Sequence, residues 1–154
     1  MTACLTVGPE RTFDQDPLLA MRLLVDIGLR ALSPAINDPT TAVEVIEGVE
    51  SLLRLIAGRE LDVGHVVGDD NTLRVVVALP SWEDYLELGN DDLALAAVNM
   101  PTVLRRLERC LSTLADMVPP SRRQTVDERL RWIQRHLVDR RPLAPAIEPS
   151  PAHD

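Results

Sequence analysis

Arg11-Thr-Phe-Asp-Gln-Asp-Pro-Leu-Leu-Ala-Met-Arg-Leu-Leu-Val-Asp-Ile-Gly-Leu-Arg-Ala-Leu-Ser-Pro-Ala-Ile-Asn-Asp-Pro-Thr-Thr-Ala42 contains two helix starts, a Pro-rich corner and a charged stripe. Asp16-Pro17 opens the first helix: Asp is a strong N-cap, and Pro fits the first turn, where its missing N–H costs nothing. From Leu18 to Leu32 the chain is apolar on almost every side, and Ser33-Pro34 stops it. Asp38-Pro39 then repeats the start signal. Arg22, Asp26 and Arg30 thread the first helix, and such groups are costly to bury unless paired.

Outward from this stretch, Ala42, Val45, Ile46, Val49, Leu52, Leu53 and Ile56 recur at helical spacing opposite Glu44, Glu47, Ser51 and Arg54. Gly58 suits a left-handed C′ position that ends this second helix. Between Leu61 and Leu79, two β-branched runs flank the turn chemistry of Gly68-Asp-Asp-Asn71, which predicts a hairpin. Ala3–Val7 reads as a short strand that can join the hairpin as a third. Ser81 caps a further helix whose first turn carries Glu83 and Asp84, a favourable place for carboxylates. Pro101 opens another, with Val103, Leu104, Leu107, Leu111 and Leu114 as its stripe. Pro119-Pro120 breaks it, and Val126, Leu130, Ile133 and Leu137 form the last stripe. Pro142, Pro145, Pro149 and Pro151 mark 142–154 as a disordered tail. The expectation is one globular domain over 1–141, α+β and mainly helical, with about five helices packed on a small antiparallel hairpin or three-stranded sheet.

The chain has 154 residues, 45% of them hydrophobic, which is ordinary for a soluble domain with a real core. Phe13, Tyr85, Trp82 and Trp132 are its only aromatic residues, so the core must be Leu, Val, Ile and Ala. The formal charge of −8 argues against a nucleic-acid partner, which would require a basic footprint. That charge is uneven: residues 38–100 hold thirteen acids against three Arg, whereas 101–141 hold ten Arg against five acids. One reading is two solvated faces that attract each other within the fold. The other is a basic helical face for an anionic partner or a membrane surface.

Cys4 and Cys110 are widely spaced and outside any CxxC or Cys/His cluster, as befits a reducing compartment. Met1–Glu10 lacks the basic start and long apolar run of a signal peptide. Arg22, Asp26 and Arg30 interrupt the longest apolar run, so no transmembrane helix is expected. The expected location is the cytoplasm, peripheral to a membrane.

Arg22, Asp26 and Arg30 lie at i, i+4 and i+8 and share one helical stripe. They form either a solvent-side ladder or an inward polar stripe meeting Arg11, Gln15 and Asn37. Asn37-Asp38-Pro39-Thr40-Thr41 is explained by capping, with Asn37 bonded to turn backbone. The alternative is an anion site at the helix N-terminus, completed by the Thr40 and Thr41 hydroxyls and Arg11, although Asp38 already places negative charge there. The expected polar network comprises Arg11, Thr12, Gln15, Asp16, Arg22, Asp26, Arg30, Asn37, Asp38, Thr40 and Thr41. His65, His136 and His153 are isolated, so no metal is expected. No cofactor is expected either. Asp91-Asp92 reads as solvated helix surface, and Arg122, Arg123, Arg129, Arg131 and Arg135 as a basic face.

The residues Arg11-Thr12, Gln15-Asp16, Arg22, Val25-Asp26-Ile27, Arg30-Ala-Leu-Ser-Pro34, Ile36-Asn-Asp-Pro39 and Thr41-Ala42 resemble the signature of a bacterial family known as domain of unknown function 2254, whose members are described as predicted membrane proteins. The chain looks like the soluble C-terminal part of that family, which usually carries transmembrane helices upstream. It departs from the family pattern at Leu19-Ala20 and Leu23, and it lacks an Arg that the family prefers around Asp92-Leu93-Ala94. The resemblance implies association with a membrane protein and brings no activity with it. Three functional classes follow. The first is a non-catalytic regulatory or ligand-sensing domain serving a membrane protein system. The second is an oligomerisation module that forms a homodimer. The third is an enzyme using Arg11, Asp16, Asp26 and Asn37.

Overall fold

The computed structural model describes residues 16, 18–61 and 64–138. Helix α1 spans Leu19–Ala31 and α2 spans Pro39–Ile56. A ribbon of β1 (His65–Val67) and β2 (Leu73–Val76) follows. A third helical rod begins as α3 (Trp82–Leu86), widens into a π-helical segment over Glu87–Asp91, and continues as α4 (Asp92–Ala96). Helices α5 (Pro101–Met117) and α6 (Pro120–Val138) complete the described chain.

The helix starts follow the sequence closely. Asp38 caps α2, its Oδ1 accepting the Thr40 and Thr41 N–H groups at 3.0 and 3.1 Å. Ser81 and Asp84 form a reciprocal capping box on α3. At α1, Asp16 Oδ1 accepts the Leu18 N–H at 3.0 Å, and the helix is described from Leu19 onward. The end of α2 differs from the expectation. Gly58 has no left-handed φ. Instead, Arg122 of α6 donates from Nη1 to the Ile56 and Ala57 carbonyls at 3.1 and 2.8 Å, and from Nη2 to Arg59 at 2.8 Å. A guanidinium fixed by tertiary structure satisfies the carbonyls that a local glycine would otherwise relieve.

Helix α1 packs on α2, α2 on α5 and α5 on α6, while the third rod closes over α1 and α2. Met21, Ile46, Leu53, Leu86, Leu93, Leu104, Leu107, Leu111, Leu114 and Ile133 are fully buried at the centre. Burying such a side chain is worth roughly 1.5–3 kcal/mol, so the leucine stripes suffice to close this core without aromatic mass. Cys110 lies within it, and burial pushes its thiol up to about 12, which leaves it a small apolar side chain.

The sequence reading places the helices on a sheet, whereas the structure packs them on one another. Strands β1 and β2 pair antiparallel, His65 opposite Val76 and Val66 opposite Val75, with a bulge before the Val67–Leu73 pair. Among the described residues the sheet has two strands. Every β2 side chain is exposed, and among the described residues no helix packs extensively against the ribbon. The strand expected over Ala3–Val7 and the Pro-rich stretch 142–154 lie outside the described residues.

Two glycines set how closely the helices approach. A Cβ on Gly28 of α1 would lie 2.8 Å from Leu93 Cδ2 and 3.0 Å from Val45 Cγ1. A Cβ on Gly89, in the π-helical segment, would lie 2.8 Å from Val49 Cγ1 and 3.2 Å from Met21 Sδ. Val49 is β-branched and cannot rotate away cheaply. Replacing Gly89 with Val is therefore expected to destabilise by about 1–3 kcal/mol through overpacking, read as a lower urea midpoint at unchanged m-value.

Candidate functional site

The residues expected to form a polar network divide into three groups. Arg11, Thr12 and Gln15 lie outside the described residues. Arg22, Asp26 and Arg30 are exposed on the outer face of α1, and no hydrogen bond or ion pair among the described residues joins them to one another or to Asp38. Between them Leu23 and Ile27 are also exposed, at 48% and 47%. Their stripe faces water because Met21, Val25, Gly28 and Ala31 supply the buried side of α1.

The corner between α1 and α2 is the third group. Asn37 adopts a left-handed φ of 49° and its side chain is exposed, so it serves the turn through its backbone and makes no side-chain bond to it. Its N–H donates to the Ser33 carbonyl at 2.8 Å. Asp38 Oδ2 accepts the Thr41 hydroxyl at 2.6 Å, and Thr40 is exposed. The Thr41 hydroxyl and then its N–H hold the Asp38 carboxyl below its ordinary value. Capping thus accounts for Asp38, Thr40 and Thr41, and the α2 N-terminus is occupied by its own carboxylate. Asp16 sits elsewhere, close enough to the third rod that its charge, after burial, raises the Tyr85 hydroxyl above its ordinary value.

A cavity in which described polar groups meet lies in the far half of the chain. Asn90, Asp91, Ala94, Leu95, Glu128, Arg129 and Trp132 line a pocket of about 330 Å³ between the π-helical segment and α6. Arg129 clamps Asp91 in a bidentate pair, Nε to Oδ1 at 2.7 Å and Nη2 to Oδ2 at 2.8 Å. Asn90 is only 4% exposed, and its Nδ2 donates to Asp91 Oδ1 at 2.9 Å. Its Oδ1 is buried without a partner. An unmet buried acceptor costs about 1–3 kcal/mol, and it marks a place where the fold accepts a loss. The π-helical segment is what turns Gly89 and Asn90 inward together, and such segments often accompany functional sites. Trp132 adds an aromatic wall, stacked on His136 at 3.8 Å between ring centroids.

The sequence gives little notice of this site. Asp91 reads as a solvated acid, but it is tied to Arg129, which reads as one member of a basic face. Their separation along the chain hides the pair. Asn90 follows Gly89 in an acid-rich helical stretch, and the π-helical turn that carries it has no mark in the sequence.

The family model described as "Predicted membrane protein (DUF2254)" matches residues 1–113. The chain belongs to this family. It is also 35% identical over 130 residues to uncharacterized proteins from Mycobacterium bovis and from two strains of Mycobacterium tuberculosis. That alignment covers 84% of this chain and 25% of each relative, so the chain spans about a quarter of their length. No solved structure matches it. Among the described residues of this DUF2254 member, no helix is long and apolar enough to cross a membrane.

Two measurements check the assignment of these groups. Asp26→Ala is expected to change stability by no more than about 0.5 kcal/mol, whereas Asp91→Ala, which strands Arg129 and Asn90, should cost about 1–2 kcal/mol in thermal or urea unfolding. At the α2 cap, the Asp38 pKa is lowered by folding. Its stabilising contribution is present above the unfolded carboxylate value and is lost as pH falls through the lower folded value. Thr41→Val removes the strongest bond to the carboxylate, so NMR titration should show Asp38 protonating at a higher pH in the variant.

Proposed function

We propose that this domain is a non-catalytic, ligand-sensing regulatory module of a membrane protein system, with the pocket between the π-helical segment and α6 as its binding site. The observation that carries this reading is the buried, unpartnered Asn90 Oδ1 beside the Asp91–Arg129 pair. A ligand there touches both the third rod and α6, so its binding energy can bias their relative placement. The family's description as a predicted membrane protein, together with a match to a quarter of the relatives' length, supports a role as one part of a larger assembly at a membrane surface.

A second reading is an oligomerisation module that forms a homodimer. It rests on the exposed Val67, Leu73, Val75, Val76, Val77 and Leu79 of the ribbon and its exit, with Leu23 and Ile27 on α1. Concentrated exposed apolar surface commonly marks an interface.

The two readings separate experimentally. Trp82→Phe leaves Trp132 as the only tryptophan, so its fluorescence reports on the pocket. With a panel of small amines, amides, carboxylates and phosphate esters, at least one class should shift both Trp132 emission and the unfolding temperature, and Asn90→Leu should remove both shifts. If no class shifts either signal, while sedimentation shows a stable dimer rather than a 17.1 kDa species, the sensing reading falls and the module reading stands.

A further inference from the structure

We infer that the pocket selects a small organic ammonium ion, a primary amine carried on a short apolar body. This rests on the ligand-sensing reading of the same site and names the chemistry it would recognise.

The donors and acceptors of the lining differ in what they leave open. Arg129 is the charged donor of the lining, and three of its five N–H groups are engaged, Nε and Nη2 with Asp91 and Nη1 with the Thr125 carbonyl at 3.3 Å. Acceptors remain open. Asp91 Oδ1 takes two bonds, from Arg129 and Asn90, while Oδ2 takes one. Glu128 accepts from Gln124 Nε2 on Oε1 alone. Asn90 Oδ1 takes none. A carboxylate oxygen or amide oxygen offers about two lone pairs, so each of these three groups can still accept a hydrogen bond. An ammonium carries three N–H donors and no acceptor, which matches that set in number and kind.

Charge points the same way. Two carboxylates and one neutralised guanidinium leave the lining with a net negative formal charge. An anion entering here would meet two carboxylates, and its one possible cationic partner is already paired. A cation gains from both carboxylates and from the indole of Trp132. Ala94 and Leu95 supply the apolar wall for the body of the ligand, and the 330 Å³ volume holds a compact molecule rather than a polymer segment. Asn90 Oδ1 is buried, so meeting it requires a small opening of the lining, and only a ligand with a hydrogen-bond donor gains by making it. That requirement discriminates against isosteres without a donor.

The test uses three probes of one shape, isobutylamine, isobutyramide and isobutyrate, on the full chain carrying Trp82→Phe, with Trp132 fluorescence as readout. Isobutylamine should give a saturable change, isobutyramide a binding curve roughly tenfold weaker, the loss of one charge-assisted bond, and isobutyrate none. Asn90→Leu should weaken the amine by about tenfold. Leu95→Arg, at a position 60% exposed where folding does not depend on the side chain, should abolish binding by placing bulk and like charge at the mouth. Stronger binding of isobutyrate or of inorganic phosphate would overturn the ammonium assignment and leave the pocket itself intact as a binding site. An amine signal that survives Leu95→Arg would place the amine elsewhere and overturn it as well. Silence from every probe, phosphate included, would overturn the ammonium assignment, while the sensing reading beneath it falls only if the wider panel of ligand classes is silent as well.

Discussion

The fold depends on the absence of two side chains. Gly28 lets α1 press against Val45 of α2 and Leu93 of α4, and Gly89 lets the π-helical segment press against Val49 of α2 and Met21 of α1. Each glycine therefore sits at a three-way junction of the same elements. Interiors pack at crystal-like density, so a junction without room for a methyl group fixes the angle and depth of all three members. The π-helical turn belongs to this constraint. By inserting Gly89 on the buried side, it brings Asn90 inward with it, and Asn90 in turn lines the candidate pocket. Packing geometry at the core and the chemistry of the pocket are two faces of one backbone irregularity.

Charge acts on this framework selectively. The acid-rich and Arg-rich halves meet across α2 and α5, where Arg106 reaches Glu50 at 2.6 Å and Glu47 at 3.5 Å, and across the third rod and α6, where Arg129 holds Asp91. The Arg106 and Glu50 side chains are only 11% and 12% exposed, so this pair works in a medium of low screening. Breaking such a pair costs more than forming it gains, because the remaining charge is stranded. The exposed pair Arg123–Asp127 on α6 belongs to the weak class by contrast. Internal neutralisation thus uses some of the Arg-rich half, with Arg122 spent on the carbonyls at the end of α2 and stacked 5.5 Å above Trp82.

Much of this was legible in the order of residues. Proline and capping signals located α2, α3, α5 and α6 because those signals act on the nearest few backbone groups, where sequence distance and spatial distance agree. The Leu stripes of α5 and α6 located the core for the same reason. What failed was what depends on distant partners. Gly58 offered a local ending to α2, but a guanidinium from α6 provided it. Asp91 and Asn90 looked like helix surface because nothing local announces a π-helical turn or an arginine arriving from α6. The Arg22, Asp26 and Arg30 stripe drew attention by its spacing, yet spacing fixes which residues share a face and not whether that face is inward. Its neighbours settled that: the small and apolar residues on the opposite side of α1 took the core.

The ribbon has a consequence for how the molecule behaves in concentrated solution. Among the described residues the ribbon is two strands wide, and its exposed side chains include Val67, Leu73, Val75 and Val76, an apolar strand surface of the kind that templates further pairing. The bulge beside Val67 and the Arg74–Asp70 pair at 2.9 Å interrupt that template only near its tip. Against such pairing stands the long-range repulsion between copies that each carry a formal charge of −8. Such repulsion fades over about 8 Å at physiological ionic strength and faster in stronger salt. The chain's colloidal stability is accordingly a function of the electrolyte around it, and added salt exposes a stickiness that dilute buffer conceals.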